Sequence, residues 1–248
     1  MKTLHDHFLA SNDGSTYKWI HYFPIYESIF SKFKEKKIKI LEIGVLKGGS
    51  LKLWKDYFGE SATVYGIDIN PDSKQYESEG IEIFIGDQSD KDFLSRVVQQ
   101  TGGFDIVIDD GAHTNFTVMN SFEALYEHTY SYYIVEDVHA LYWSNGLYSL
   151  GRDVSMALSE KNLKSLVKVA EIIKYFILSE RNFTKFLKKK VDSITTDWQG
   201  KTKHSQKKLN KLNSQKSIFS RTTNGIMVYD SLVIFEKHMQ ESKVAEIR

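Results

Sequence analysis

Two short stretches carry most of the residues able to do chemistry. Asp109-Asp110-Gly111-Ala112-His113 offers two carboxylates, a glycine and an imidazole, and Glu136-Asp137 offers two more carboxylates just before His139. An imidazole is suited to moving protons near neutral pH. Carboxylates brought together repel one another unless a cation lies among them, and an all-oxygen set suits Mg²⁺, Mn²⁺ or Ca²⁺ rather than Zn²⁺. The plainer reading is helix caps and surface acids. Two acid pairs at the ends of two adjacent strands form a more demanding pattern, which favours a cation held by Asp110, Glu136 and Asp137.

The elements that must position these residues are legible as apolar runs. Phe104–Ile108 leads into the first stretch and Tyr132–Val135 into the second, with a helix expected over about Asn115 to His128. Upstream, Ile38–Ile43 reads as a buried strand that ends in Gly44-Val45-Leu46-Lys47-Gly48-Gly49-Ser50 and passes into a helical pattern through Phe58, with Ser50 as the expected N-cap. Strand, glycine turn and helix form the geometry of a nucleotide-type cofactor site. The spacing is neither the dinucleotide nor the phosphate-loop pattern, and Glu42 within the motif argues against a polyanion. Ala62–Asp68 and Ile81–Asp87 are further strands tipped with acids, and Asp68 lies where an acid can accept ribose hydroxyls.

The 248-residue chain is read as one α/β domain, 41% hydrophobic and rich enough in aromatics to form a core. Its parts are an N-terminal helical lid (1–37), a cofactor- and metal-binding core (38–150), a helical basic insertion (151–223) and a terminal hairpin (224–238) turning at Asp230-Ser231. A net charge of +1 selects neither nucleic acid nor membrane. The absence of cysteine excludes disulfides, thiolate zinc sites and cysteine nucleophiles. No signal peptide or long apolar run is evident, so a soluble cytoplasmic protein is expected. In the lid, Thr16–Phe30 reads as a helix packing aromatics on the core, or else as a cover over a pocket. The lysine-rich stretch 185–216 reads as a solvated face, a grip on a diphosphate, or an interaction segment. Exposed aromatics and the insertion permit a homo-oligomer.

Glu42-Ile43-Gly44-Val45 with Gly48-Gly49-Ser50, Asp68, Gly86-Asp87 and Asp109-Asp110-Gly111 resemble the class I S-adenosylmethionine-dependent methyltransferases. Lys18-Trp19 with His21 and Tyr26-Glu27, Trp54 with Tyr57-Phe58, His113, and Val135-Glu136-Asp137 with Tyr142-Trp143 narrow the resemblance. It points to the metal-dependent macrocin- and mycinamicin-type sugar O-methyltransferases and the related cephalosporin-hydroxylase-like and rhamnosyl O-methyltransferase group. It covers about residues 12–150 and 224–238. Ala112 stands where the family commonly has Ser, and His128-Thr129-Tyr130-Ser131 replaces a Gly-Gly turn.

The resemblance implies a Rossmann-like, seven-stranded, mostly parallel sheet with helices on both faces and the last strand antiparallel. It implies S-adenosylmethionine bound by a set comprising Glu42, Gly44, Gly48, Ser50, Asp68, Asp87, Gln88 and Asp109. It also implies Mg²⁺ or Mn²⁺ on Asp110, Glu136 and Asp137, and His113 as general base. Tyr17, His21, Tyr22, His139 and Trp143 are the expected acceptor wall. The expected reaction is methyl transfer to a sugar hydroxyl, with a nucleotide-activated sugar as the small-molecule partner, in capsule, surface-glycan or natural-product assembly. Alternatives are an RNA methyltransferase using the basic insertion, a metal-dependent hydrolase, and a binding module without turnover.

Overall fold

The computed structural model describes residues 2–10, 14–143, 154–155, 157–158, 163–177, 183–195, 219 and 222–238. Seven strands form one sheet in the order β3-β2-β1-β4-β5-β7-β6. They are β1 (Lys39–Ile43), β2 (Thr63–Asp68), β3 (Ile81–Ile85), β4 (Phe104–Asp109), β5 (Thr129–Val135), β6 (Thr223–Tyr229) and β7 (Leu232–Lys237). The first five run parallel, and β7 pairs antiparallel with both β5 and β6. The expected Rossmann-like sheet and terminal hairpin are therefore present. Among the described residues, no helix is long and apolar enough to cross a membrane.

The order of the parallel strands reverses between β1 and β4, which is where open α/β sheets bind ligands beyond the carboxyl ends. Ile43 pairs with Ile67 on one side and Asp109 on the other, and Asp109 pairs with Val135. The ladder continues one residue past the tips: the Asp110 amide donates to Ile43 and the Glu136 amide to Asp109. Side chains alternate across a strand. Glu42, Asp110 and Glu136 therefore share the face that also carries Ile40, Ile108 and Ile134, while Asp109 falls on the opposite face with Leu41, Val107 and Val135.

Two helices cover the first face. α2 (Tyr22–Phe30) buries Tyr22, Phe23, Tyr26, Ile29 and Phe30, a helical stripe that meets α3 (Gly49–Phe58). Tyr26 stacks on Phe30 at 4.9 Å and meets Trp54 edge-on at 5.6 Å. Such rings are apolar bodies with polar tips, and here packing aims the tips at the acids. The opposite face is covered by α4 (Lys91–Thr101) and α5 (Asn115–Leu125).

Several local expectations are revised. The α3 N-cap is Gly48, in a left-handed conformation, and the Ser50 hydroxyl is spent on Glu42 instead. Helix α5 ends at Leu125 and a 3-10 turn continues to His128. Strand β5 begins at Thr129, so the residues replacing the family's glycine turn lie mostly in the strand. The segment 15–19 is not helical, although helices lie on either side of it at Leu4–Ala10 and Tyr22–Phe30. From this segment Lys18 reaches the acids at the sheet edge. In the insertion, helices span Leu163–Ile177 and Phe183–Thr195, and Lys201, Lys203, Lys207, Lys208 and Lys211 lie outside the described residues.

Candidate functional site

The glycine turn is built before any ligand enters. Gly44 has φ +96°, and a Cβ there would lie 2.3 Å from the Asp110 carbonyl oxygen, so the close approach that demands glycine is to the neighbouring strand. Gly48 faces the Tyr76 ring, and Gly49 faces Ser15 and Thr16 of the N-terminal segment. Asp68 ties the turn to β2: its Oδ2 accepts from the amides of Val45 (2.9 Å) and Leu46 (3.1 Å), and its Oδ1 from the Asn70 amide. A carboxylate has about four lone-pair sites, so acceptor capacity remains for ribose hydroxyls. Asp87 takes the Ser89 amide and hydroxyl on Oδ1 and meets Lys168 of the helix Leu163–Ile177 with Oδ2. The cap of α4 is Asp90, not Asp87.

Three expected cofactor residues turn inward. Glu42 is wholly buried and accepts from Lys18 Nζ (2.8 Å) and Trp54 Nε1 (3.1 Å). Asp109 accepts from Gln88, Ser121 and Tyr133 beneath the sheet. Gln88 in turn accepts from the Ala112 amide (2.7 Å) and so holds the loop that carries His113. These residues support the edge from within.

The acids form two groups that share Asp110. In the inner group, ligand atoms of Glu42, Asp110 and Glu136 lie within 4.8 Å of one another. Lys18 Nζ sits among them, 2.8 Å from Glu42, 2.6 Å from Asp110 and 2.8 Å from Glu136, with its side chain 2% exposed. Burial works against the Lys18 charge, but the carboxylates of Asp110, Glu136 and Glu42 outweigh it and hold the ammonium well above its ordinary range. Burial and then the charge of Asp110 push the Glu136 carboxyl up to about 8, against the pull of Lys18. Burial likewise raises Glu42.

In the outer group, His113 Nε2 is 3.6 Å from Asp110 Oδ1 and 3.9 Å from Asp137 Oδ2, and all three side chains are partly exposed. His113 and Asp137 both have φ +52°, a backbone state uncommon outside glycine. Such strain persists where the surroundings over-determine it, often at functional sites. Here the surroundings include the hairpin turn: the one proton of Tyr22 Oη is shared between the Ser231 carbonyl (2.9 Å) and Asp137 Oδ1 (3.1 Å), and the Val138 amide donates to the Ser231 carbonyl.

Of the expected acceptor wall, Tyr17 is exposed with Lys47 over its ring. His21 Nε2 is 3.0 Å from the Asp230 carbonyl, and His139 contacts the Ser231 hydroxyl and lies edge-on to Trp19. Tyr22 is buried and so serves Asp137 from behind. Trp143 ends the helix Val138–Trp143, and its side chain lies outside the described residues.

Sequence reasoning missed the inner residues. Lys18, Trp19 and Tyr26 were noticed only as a motif, and the hairpin turn only as a turn. The usable signal was a lysine placed inside an aromatic run whose rings pack on the sheet.

The carboxylate oxygens are the donor type that fits a hard divalent cation, and the single ammonium does not match the number of surrounding acids.

No family model matches the chain. The fold is that of the class I methyltransferases: in structure the chain is similar to a methyltransferase of the mycinamycin biosynthetic pathway solved with Mg, S-adenosylhomocysteine and mycinamycin VI. The TM-score is 0.70 at 25% identity, over 96% of this chain and 54% of that one. The relatives to which it is similar in sequence are sugar O-methyltransferases. It is 38% identical over 135 residues to the mycinamicin VI 2''-O-methyltransferase of Micromonospora griseorubida, covering 50% of this chain and 33% of that protein. It is 36% identical over 165 residues to the demethylmacrocin O-methyltransferase of Streptomyces fradiae, covering 62% and 40%. The matched stretches thus span less than half the length of these curated relatives.

Proposed function

We propose that the chain is an S-adenosylmethionine- and divalent-cation-dependent O-methyltransferase acting on a sugar hydroxyl. The observation that carries the reading is the meeting of Asp110, His113 and Asp137 at the sheet's switch point, with the Asp68-tied glycine turn on the neighbouring strand. The names of the relatives support the sugar, and the complex with Mg and S-adenosylhomocysteine supports the two cofactors.

Asp110, Glu136 and Asp137 would hold the cation; when bound, it would acidify an acceptor hydroxyl while S-adenosylmethionine supplied the methyl group. His113 takes the hydroxyl proton at Nε2, and the neighbouring oxygens of Asp110 and Asp137 offset the charge it gains. Asp68 would accept from the ribose hydroxyls of the cofactor and Asp87 would serve its adenine end. Tyr17, His21 and His139 wall the acceptor. Holding the hydroxyl in line with the methyl carbon supplies much of the rate. The acceptor is read as a nucleotide-activated sugar or a sugar already on a natural product.

Calorimetric titration with S-adenosylhomocysteine, with Mg²⁺ or with chelator, tests the cofactor. Turnover on nucleotide sugars and on glycosylated polyketides tests the acceptor. Binding together with metal-dependent turnover is the expected result; no binding under either condition sends the site to the hydrolase reading.

A further inference from the structure

The residues 18–26 touch every acid of the proposed cation site, each time from the inner side. Lys18 Nζ takes Asp110 Oδ2 and Glu136 Oε1. Tyr26 Oη donates to the same Glu136 oxygen at 2.6 Å. Trp19 Nε1 and Tyr22 Oη both donate to Asp137 Oδ1, at 2.9 and 3.1 Å. The opposite oxygens, Asp110 Oδ1 and Asp137 Oδ2, are the ones that face His113.

A carboxylate on a single bond can rotate and offer a cation either oxygen, or both. Fixing one oxygen with a donor removes that freedom and directs the other. An ammonium beside a cation site also opposes the cation's charge, so charge balance alone does not account for Lys18. Orientation does. The lysine is itself held by a third acid, Glu42, which lies on β1 next to the glycine turn and is fixed by Trp54.

We infer that Lys18 is a positioning residue, acting with Trp19 and Tyr22, which fixes one oxygen each of Asp110, Glu136 and Asp137 so that a divalent cation meets a preset arrangement of the others. Outer partners of this kind are worth about 10–100-fold in metal affinity. The inference rests on the metal-dependent reading of the site, and its test separates the two.

Mn²⁺ affinity and S-adenosylhomocysteine affinity are measured separately on the wild type, Lys18→Met and Tyr22→Phe, alongside thermal melts. In Lys18→Met, Mn²⁺ affinity is expected to fall about 10–100-fold while S-adenosylhomocysteine binding stays near wild type. Tyr22→Phe keeps its ring in the core and removes one of the two donors to Asp137, together with the bond to the Ser231 carbonyl, and a smaller loss of Mn²⁺ affinity is expected; if Lys18→Met does not fold, this variant decides. Mn²⁺ binding unchanged or tighter in the folded variants overturns the inference, as does a parallel loss of both ligands, which marks a merely structural lysine. A wild type that binds neither Mn²⁺ nor S-adenosylhomocysteine overturns the underlying reading as well.

Discussion

The inner and outer sides of Asp110 hold similar side chains in opposite circumstances. Inside, Glu42 and Glu136 are buried and meet an ammonium, an indole and a phenol. Outside, Asp137 and His113 are partly exposed, adopt left-handed backbone conformations, and face each other across a wider gap. The difference teaches that an acid at a strand tip is not by its position a ligand or a catalyst. What matters is whether the protein has already satisfied it. Glu42 is wholly tied up within the protein, Asp137 keeps one oxygen turned to His113, and Asp110 and Glu136, each held on one oxygen by Lys18, join the two sides.

The largest effect should fall on the outer side. His113→Ala is expected to lower turnover about 10²–10⁴-fold, the usual worth of a general base, with S-adenosylhomocysteine affinity unchanged in a calorimeter. Turnover that survives would remove His113 from the mechanism and blur the contrast.

The next pair sets the two sides directly against each other. Glu42→Ala leaves Lys18 short of a partner and the Trp54 N–H unmet in the core, and breaking a buried pair costs about 3–5 kcal/mol. Asp137→Asn keeps an acceptor for Trp19 and Tyr22, so its unfolding free energy should stay within about 0.5 kcal/mol of wild type, while Mn²⁺ binding is lost. Urea denaturation together with Mn²⁺ titration reads both quantities. Equal stability losses would break the comparison.

The smallest effect concerns a second lysine. Lys237 is partly buried, and its partners are the Tyr126 carbonyl and ring rather than carboxylates. Burial pushes it down to about 8, whereas Lys18 is held high. Between about pH 8 and the ordinary lysine value the unfolded chain binds more protons than the folded one, so this group makes stability rise with pH across that window. Lys237→Met should flatten the rise. A difference between wild type and variant that does not change with pH would show that burial alone does not discharge a lysine here.

Much of the cation site was legible in the sequence, because apolar strands of fixed length end in acids and neighbouring parallel strands align their tips. Asp110, His113, Glu136 and Asp137 follow from that rule. Asp109 does not: one residue earlier, the alternation sends it to Ser121 and Tyr133 under the sheet. Glu42 is legible as a residue of the first strand, but its partners are not, since they arrive from α3 and from the N-terminal segment. Lys18 was unreadable for a simple reason. Its three carboxylates lie 24, 92 and 118 residues away, and local pattern carries no information at that range.

That separation has a consequence for the order of assembly. During synthesis Lys18 leaves the ribosome long before Glu136 exists, and Tyr22 precedes the Ser231 carbonyl it binds by 209 residues. Contacts so distant along the chain form late, after the loops between them close. The aromatic stripe of α2 can meet α3 early, but the polar tip of Tyr22 must wait until the hairpin turn arrives. A nascent chain stopped before β6 (Thr223–Tyr229) has all five parallel strands but not the Ser231 turn that braces Tyr22 and Val138 beside Asp137. Completion of the site therefore waits on the hairpin turn, however much of the parallel sheet is already in place.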